Sequence, residues 1–450
     1  MILKALKIGN AFIKKIKKYI SIKKYISIKK MFGNIVRDLN ISSLATQRST
    51  TTKSSNGFFS ANIRMMGSLI QYENDPDVWT TVETDTVPAT QLGNKYILPG
   101  KNQITQVCLN YDGSVIAVGL NGVIAGSVLS ILRNNNNFYD QVAIPLPPDA
   151  VGVTVGSVAL SNDGNILAFG GSTDNASVGA VWIYLYSSLT NTWTIQGPKI
   201  TGPGEIGAGR FGIKLRLNGS GELLVVGSPD ETPGGAAYIF NLSSLTSPVF
   251  VARLVGTPLD FNADFGRDVA FSADSSTVAV GAYLNFSNAG SVFIYTKVLG
   301  IWTQQAYLTT PLGFTTQFLG YGLSLSADGN ILCAGSNENN VIYYRTATWS
   351  DGTLPPLPND LIGSSPLMYG VISQDGNSLV VSNINNNQNL GKTWLFTQGP
   401  LGTWIQNGPG FVGTGAVNPN TKQGYSSISG NGKRVAVVDN SNQGLLWVFV

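Results

Sequence analysis

From about residue 100 onward, short apolar runs alternate with turn residues, and the alternation repeats. One unit reads as an apolar strand ending in Ser, a tight turn, and a second apolar strand ending in Gly. Leu160-Ser161-Asn162-Asp163-Gly164-Asn165-Ile166-Leu167-Ala168-Phe169-Gly170 is matched by Leu325-Ser326-Ala327-Asp328-Gly329-Asn330-Ile331-Leu332-Cys333-Ala334-Gly335. The turn recurs at Asp112-Gly113, Asp163-Gly164, Asn218-Gly219, Asp274-Ser275, Asp328-Gly329, Asp375-Gly376 and Asn431-Gly432, at spacings of 51, 55, 56, 54, 47 and 56 residues. Asp-Gly or Asn-Gly between apolar runs predicts a hairpin, because Gly accepts positive φ and Asp or Asn tolerates it. A third strand is predicted at 127–132, 180–184, 236–240, 291–295, 341–345, 393–396 and 445–449. A fourth carries an aromatic: Phe138, Trp193, Phe250, Trp302, Trp349 and Trp404. The seventh unit reaches Val450 without one, and the matching segment, with Trp79, lies at 77–82.

Seven four-stranded units, the last completed from the N-terminal side, predict an all-β, seven-bladed β-propeller over residues 77–450. Closing the ring removes exposed sheet edges. The outer-strand aromatics are expected to cover the gap to the next blade. An open solenoid of hairpins is the alternative, and it has no use for a strand at 77–82.

Composition agrees with this class. Of 450 residues, 12% are charged, 43% are hydrophobic and 52 are Gly, as expected for a turn-rich β protein. There is no histidine, which excludes imidazole-based catalysis and His-ligated zinc. Two cysteines exclude a disulfide framework and a four-thiolate metal site, so Cys108 and Cys333 are expected as buried thiols in separate blades.

The net charge of +4 divides unevenly. Residues 1–64 hold 14 Lys and Arg against Asp38 alone, giving +13, and residues 65–450 hold 15 against 24 acids, giving −9. The basic segment contains a six-residue near-repeat that places Lys14, Lys15, Lys17, Lys18, Lys23, Lys24, Lys29 and Lys30 among isoleucines. Ile2, Leu6, Ile13, Ile16 and Ile20 lie on one helical stripe, but a hexameric repeat turns each copy about 120° from the last and smears that face. Three readings stay open for residues 1–30: a helix on an anionic membrane surface, a lysine-rich contact to nucleic acid or a scaffold, and a low-complexity extension ahead of a start at Met31 or Met65. No apolar run is long enough for a secretory signal or a transmembrane helix. Residues 40–64 are rich in Ser, Thr and Asn and, with 65–76, read as linker.

Phe211-Gly212, then Asp264-Phe265-Gly266-Arg267-Asp268-Val269-Ala270-Phe271-Ser272, and Val280-Gly281-Ala282 followed by Gly290-Ser291-Val292-Phe293-Ile294-Tyr295, resemble FG-GAP repeats, the propeller repeats of integrin α-subunit head domains. The longer phrasing is similar to repeat proteins common in giant DNA viruses and some bacteria. The Lys, Ile and Asn bias suits an AT-rich genome, and with it a virion or virus-infected cell. The resemblance implies a propeller and, between second and third strands, calcium loops of alternating acidic and amide ligands. Asp174, Asp230 and Glu231 are the candidate ligands, although the family's full run is missing. No other cofactor is expected.

In a propeller, the loops joining strands two to three and those leading to the next blade share one rim. These are the long ones here, at 145–154, 201–210, 256–265, 310–320 and 354–369. The expected function is therefore a non-catalytic binding or structural module that presents this rim, including Arg210, Asp264 and Arg267, to a protein or glycan. The alternative is a carbohydrate-active enzyme, which needs two carboxylates across a cleft and, for a sialidase type, converging arginines. Arg210, Arg216, Arg253 and Arg267 fall in neighbouring units; Arg210 and Arg267, beside the Phe-Gly motif, read as equivalents repeating one structural role.

Overall fold

The computed structural model describes residues 63–65, 68–70, 89–98, 104–124, 127–136, 138–153, 156–204, 207–311, 317–337, 339–350, 352–353, 355, 368–384, 390–416, 423–439 and 444–450. The segments 1–62 and 77–82, with the basic tail and the closing strand expected there, lie outside these residues. Two compact units divide near residue 84. In the first, β1 (Ile63–Met65) and β2 (Ser68–Ile70) form a two-stranded antiparallel hairpin.

The second unit is an all-β, seven-bladed propeller. Blade 1 holds β4 (Ile104–Leu109), β5 (Val115–Ile124), β6 (Ser127–Asn135) and β7 (Phe138–Pro145). Blade 2 holds β8 (Gly156–Leu160), β9 (Ile166–Gly171), β10 (Ala180–Ser187) and β11 (Thr192–Ile195). Blade 3 holds β12 (Leu215–Leu217), β13 (Leu223–Ser228), β14 (Ala236–Asn241) and β15 (Val249–Leu254), and blade 4 holds β16 (Phe265–Phe271), β17 (Thr277–Ala282), β18 (Ser291–Val298) and β19 (Ile301–Leu308). Blade 5 has three strands, β20 (Gly322–Leu325), β21 (Ile331–Gly335) and β22 (Asn340–Tyr344). Blade 6 holds β23 (Met368–Ile372), β24 (Ser378–Asn383), β25 (Lys392–Gln398) and β26 (Trp404–Gln406). Blade 7 holds β27 (Gln423–Ile428), β28 (Val435–Asp439), β29 (Leu445–Phe449) and, from the N-terminal side, β3 (Tyr96–Ile97).

The hairpin turns follow the repeated Ser-x-Asp-Gly chemistry. Ser161 Oγ accepts the Ile166 N–H at 3.0 Å and donates to the Asp163 carboxylate, which accepts the Asn165 N–H at 3.0 Å. Ser326, Asp328 and Asn330 repeat this set, as do Ser373, Asp375 and Asn377. In unit three, Asn218 fills the Ser161 role, accepting the Leu223 N–H at 2.9 Å. The tight turn there is therefore Ser220-Gly221, with Gly221 at φ +78°, two residues beyond the expected Asn218-Gly219. Each turn also bonds to the next. Tyr111 N–H donates to Asn162 O, Asn162 to Gly219, Gly219 to Ala273, Asp274 to Ala327, Ala327 to Gln374, Asp375 to Gly430, and Asn431 back to Tyr111. The circle of backbone hydrogen bonds is complete at 2.6–3.2 Å per link.

The core lies between blades rather than within them. Each of the seven blade interfaces has its own apolar cluster, for example Val181, Phe211 and Tyr238 between blades 2 and 3, and Leu98, Val107 and Leu446 between blades 7 and 1. The FG-GAP-like residues hold these interfaces together. Gly179, Gly235, Gly290 and Gly391, ending the second-to-third loop of one blade, pair parallel with Phe211, Phe265, Leu319 and Gln423 of the next. Gly179 has φ +90°, and a Cβ there would collide with the Phe211 backbone. The aromatic side chain then enters the interface, where Phe211 and Phe265 are fully buried.

Three expectations are corrected. The closing strand is β3, with an added bridge of Gln91 to Phe449, and not the segment around Trp79. Residues 89–98 run beside β29 and leave Leu98 buried, so that edge is already taken. Among the described residues, the fourth strand of blade 5 consists of two bridges, Arg345 with Trp349 and Ile342 with Thr353. The outer aromatics do not share one role. Trp302 and Trp404 are buried, and Trp404 Nε1 donates to Tyr344 Oη of blade 5 at 3.0 Å, but Phe138 is 68% exposed and Phe250 44%.

Candidate functional site

The loop rim is ordered by contacts between loops of successive blades. Asn175 N–H donates to Val151 O, Arg210 to Ser177 O, Asp230 to Gly209 O and Leu284 to Ala263 O. Asp260 anchors one such pair, its carboxylate accepting the Phe286 N–H while Asn285 Oδ1 accepts the Asp260 N–H at 2.9 Å. Phe261 (68% exposed) and Phe286 (45% exposed) are brought to the surface beside each other's loops. Phe286 meets Tyr307 edge-on at 5.9 Å.

The candidate calcium ligands lie here, each already facing a cation of the protein. Asp174 is buried, receives Lys199 Nζ at 2.6 Å and accepts the Val151 N–H at 2.6 Å. Glu231 is buried, accepts from Arg253 Nε at 3.1 Å and Nη2 at 2.6 Å through Oε1, and from Tyr238 Oη at 2.7 Å through Oε2. Asp230 pairs with Arg210 at 3.2 Å. Among the described residues, no three Cys, Asp or Glu side chains gather as a metal site. Millimolar calcium and excess EDTA are therefore expected to leave the melting temperature unchanged. Glu231→Gln should cost about 3 kcal/mol in chemical denaturation, by leaving a part-buried guanidinium unpaired.

Arg210, Asp264 and Arg267 converge on the rim between blades 3 and 4, but Arg210 and Arg267 are not equivalents. Counted from Phe-Gly, Arg210 matches Asp264, and both hold the left-handed conformation at φ +57° and +55°. Arg267 matches Ile213, and Asp268 matches Lys214. Burial raises the Asp264 carboxyl against the opposing pull of Arg267. The Arg267 guanidinium lies over the rings of Tyr283 and Tyr321, 5.3 and 5.7 Å from their centroids.

Arg267 also lines the central cavity, which has a volume of about 340 Å³ and is walled by the innermost strands. Leu215 and Leu217 of β12 turn into the blade interface, so Arg216 and the preceding Lys214 face the lumen. In β16 the pairing with β17 slips between Phe265 and Val269, and both Arg267 and Asp268 reach the cavity. At the turn end, Gln374 Nε2 of blade 6 donates to Asn162 Oδ1 of blade 2 at 2.8 Å, a bar across the ring. Cys108 lines the cavity and burial pushes its thiol up to about 12, with Arg216 pulling the other way; Cys333 is buried between blades 5 and 6. Neither thiol has the lowered pKa of a nucleophile.

Burial lowers Lys214 to about 8 from 10.5, Asp268 opposing the shift and Arg216 and Arg267 adding to it. Between those values the folded chain holds fewer protons than the unfolded one, so Lys214 makes stability rise with pH across that window. Melting curves of wild type and Lys214→Met between the two pH limits should differ by this slope, with the variant gaining most at the lower limit.

No protein-family model matches the chain, and no curated protein matches it. The likeness to FG-GAP repeats rests on the motif residues, whose structural work is the pairing between blades. No helix among the described residues is long and apolar enough to cross a membrane.

Proposed function

We propose that the chain is a non-catalytic binding propeller whose loop rim takes a protein or glycan partner, and whose basic segment, residues 1–30, fixes it to an anionic membrane, nucleic acid or virion surface. The observation that carries this reading is the contrast between the two rims. On one, short uniform turns are hydrogen-bonded into a closed circle. On the other, longer loops of unlike sequence are held by neighbouring blades and expose Phe261 and Phe286. Exposed aromatics on a rigid frame suit sugar stacking or the centre of a protein interface. The FG-GAP likeness favours an adhesion-type role, and the giant-virus phrasing favours a particle component.

The runner-up, a carbohydrate-active enzyme, has less support. Among the described residues the cavity lining contains one carboxylate, Asp268, where hydrolysis of a glycosidic bond takes two. The rim assignment is tested with Phe261→Ser/Phe286→Ser in the full chain, against an array of immobilised glycans and against proteins cross-linked to the propeller in its source cells. The variant should melt with the parent and lose the glycan or cross-linked protein that the parent takes. Undiminished binding by the variant would move the partner site off this rim.

A further inference from the structure

We propose that the central cavity is a binding site for the oxyanion of a small ligand, a phosphate or carboxylate group held by Lys214, Arg216 and Arg267. This goes beyond the rim reading and does not depend on it. Three cations from two adjacent blades line one cavity, and among the described residues Asp268 is the only acidic one in its lining. That carboxylate is committed to the fold. Its Oδ1 accepts the Val269 N–H and its Oδ2 the Leu323 N–H of blade 5, both at 2.9 Å. Arg216 Nη2 approaches it only to 3.9 Å, beyond hydrogen-bond length. Asp268 thus offsets part of one positive charge, and Asp264, outside the lining, acts on Arg267, so the lining itself keeps an excess of positive charge.

The cations are otherwise poorly supplied. Lys214 Nζ spans from blade 3 to blade 1, where its one hydrogen bond among the described residues is a long 3.4 Å contact to Gln106 Oε1. That oxygen already accepts from Ser157 Oγ at 2.8 Å. Arg216 Nη1 donates to the carbonyl of Leu215 at 2.9 Å. Arg267 lies over its two tyrosine rings, hydrogen-bonds with Tyr321 and is attracted by Asp264, but no carboxylate among the described residues comes within ion-pair distance of it. Like charges gathered in a shared, partly desolvated space repel and destabilise the ring unless an anion joins them. At the positions of Lys214 and Arg216, blade 2 has Ser157 and Ala159 and blade 5 has Gly322 and Ser324, so the fold does not require cations there.

The geometry also limits the ligand. A cavity of about 340 Å³ lies at the low end of small-molecule sites, which run from about 300 to 1,000 Å³. The Gln374–Asn162 bar crosses its turn end, and the charged residues cluster where the first strands begin, beside the loop rim. A compact ligand carrying one oxyanion fits, and a polymer threaded through the ring does not. Two guanidinium groups and one ammonium can donate together to a single tetrahedral or planar oxyanion.

The test uses the full chain at constant ionic strength, with chloride replaced in turn by inorganic phosphate, citrate and, as a neutral control, glucose. At tens of millimolar, phosphate or citrate should raise the melting temperature by about 3 °C, and glucose should not. Lys214→Met keeps the side-chain volume and should lose the increment, with affinity about tenfold weaker by calorimetry. The basic N-terminal segment is common to both chains, so its own anion binding cancels. Phosphate stronger than citrate assigns a phosphorylated ligand, and the reverse assigns a carboxylate. Should Lys214→Met fail to fold, phosphorus NMR line broadening on the wild type, reversed by citrate, replaces it. An equal increment in both chains, or no effect of either anion on the wild type, overturns the site and leaves the rim reading to its own experiment.

Discussion

A chain lacking residues 89–98 should melt roughly 10 °C below the parent and aggregate as it unfolds. This segment carries the whole outer edge of blade 7. Thr90 and Val450 exchange two backbone hydrogen bonds of 2.9 Å, Leu92 N–H donates to Val448 O, and Leu98 N–H donates to Gly444 O. Leu98 is buried between blades 7 and 1, with Leu92 and Tyr96 packed against the same cluster, and Tyr96 meets Tyr139 of blade 1 at 5.9 Å. Losing one buried leucine and several edge hydrogen bonds costs roughly 5 kcal/mol. It also strips β29 and frees an edge rich in Leu, Trp, Val and Phe. Deleting 77–82 instead should leave the melting temperature unchanged, because β29 has its partner in residues 89–98. Equal losses from the two deletions would contradict this assignment.

The second large effect is expected at the glycines between blades. Gly235 lies at φ +98°, and an added Cβ would meet the backbone of both Phe265 and Pro229. Gly300 also has positive φ, at +86°, but has nothing within 4 Å of the same point. Gly300→Ala therefore measures backbone strain alone, about 1 kcal/mol. Gly235→Ala adds a collision that neither chain can avoid without separating blades 3 and 4, so a loss of at least about 3 kcal/mol is expected. Urea denaturation of the two variants gives the comparison directly. Similar losses in both would mean that the Gly235–Phe265 pairing does not fix the interface.

The repeat was legible because its turn chemistry is local. Ser161, Asp163 and Gly164 make their hydrogen bonds within six residues, so the sequence alone exposes the hairpin and its recurrence. Unit three was misplaced by two residues because Asn218 can serve either as the turn residue or as the acceptor that precedes it. Closure was legible as a requirement but not as a location. The segment around Trp79 resembles the other fourth strands, whereas Tyr96–Ile97 is two residues long and fixed by its partner, which lies about 350 residues away. No local pattern carries that pairing.

The site was less legible still. Arg210, Asp264 and Arg267 were found through the Phe-Gly motif, but motif adjacency hid that Arg210 precedes it and Arg267 follows it. Lys214 was missed, and Arg216 entered only as one of several arginines. The signal was present: in Lys214-Leu215-Arg216-Leu217, charges alternate with leucines on an innermost strand, and strand periodicity sends both charges into the lumen. The cation partners of the candidate calcium ligands were hidden for a related reason. Lys199, Arg210 and Arg253 come from loops and strands 20 to 25 residues away, which the spacing of acidic residues does not reveal.

The measurement that tests the closed ring most directly is a cross-link across its seam. Thr90 and Val450 form a doubly hydrogen-bonded antiparallel pair, whose Cα atoms lie about 5.5 Å apart, inside the range a disulfide spans. Thr90→Cys/Val450→Cys should oxidise within a single chain and melt above its reduced form, while the buried Cys108 and Cys333 stay as thiols. A product linked only between chains, or thiols at 90 and 450 that remain free under oxidant, would contradict a ring closed by residues 89–98.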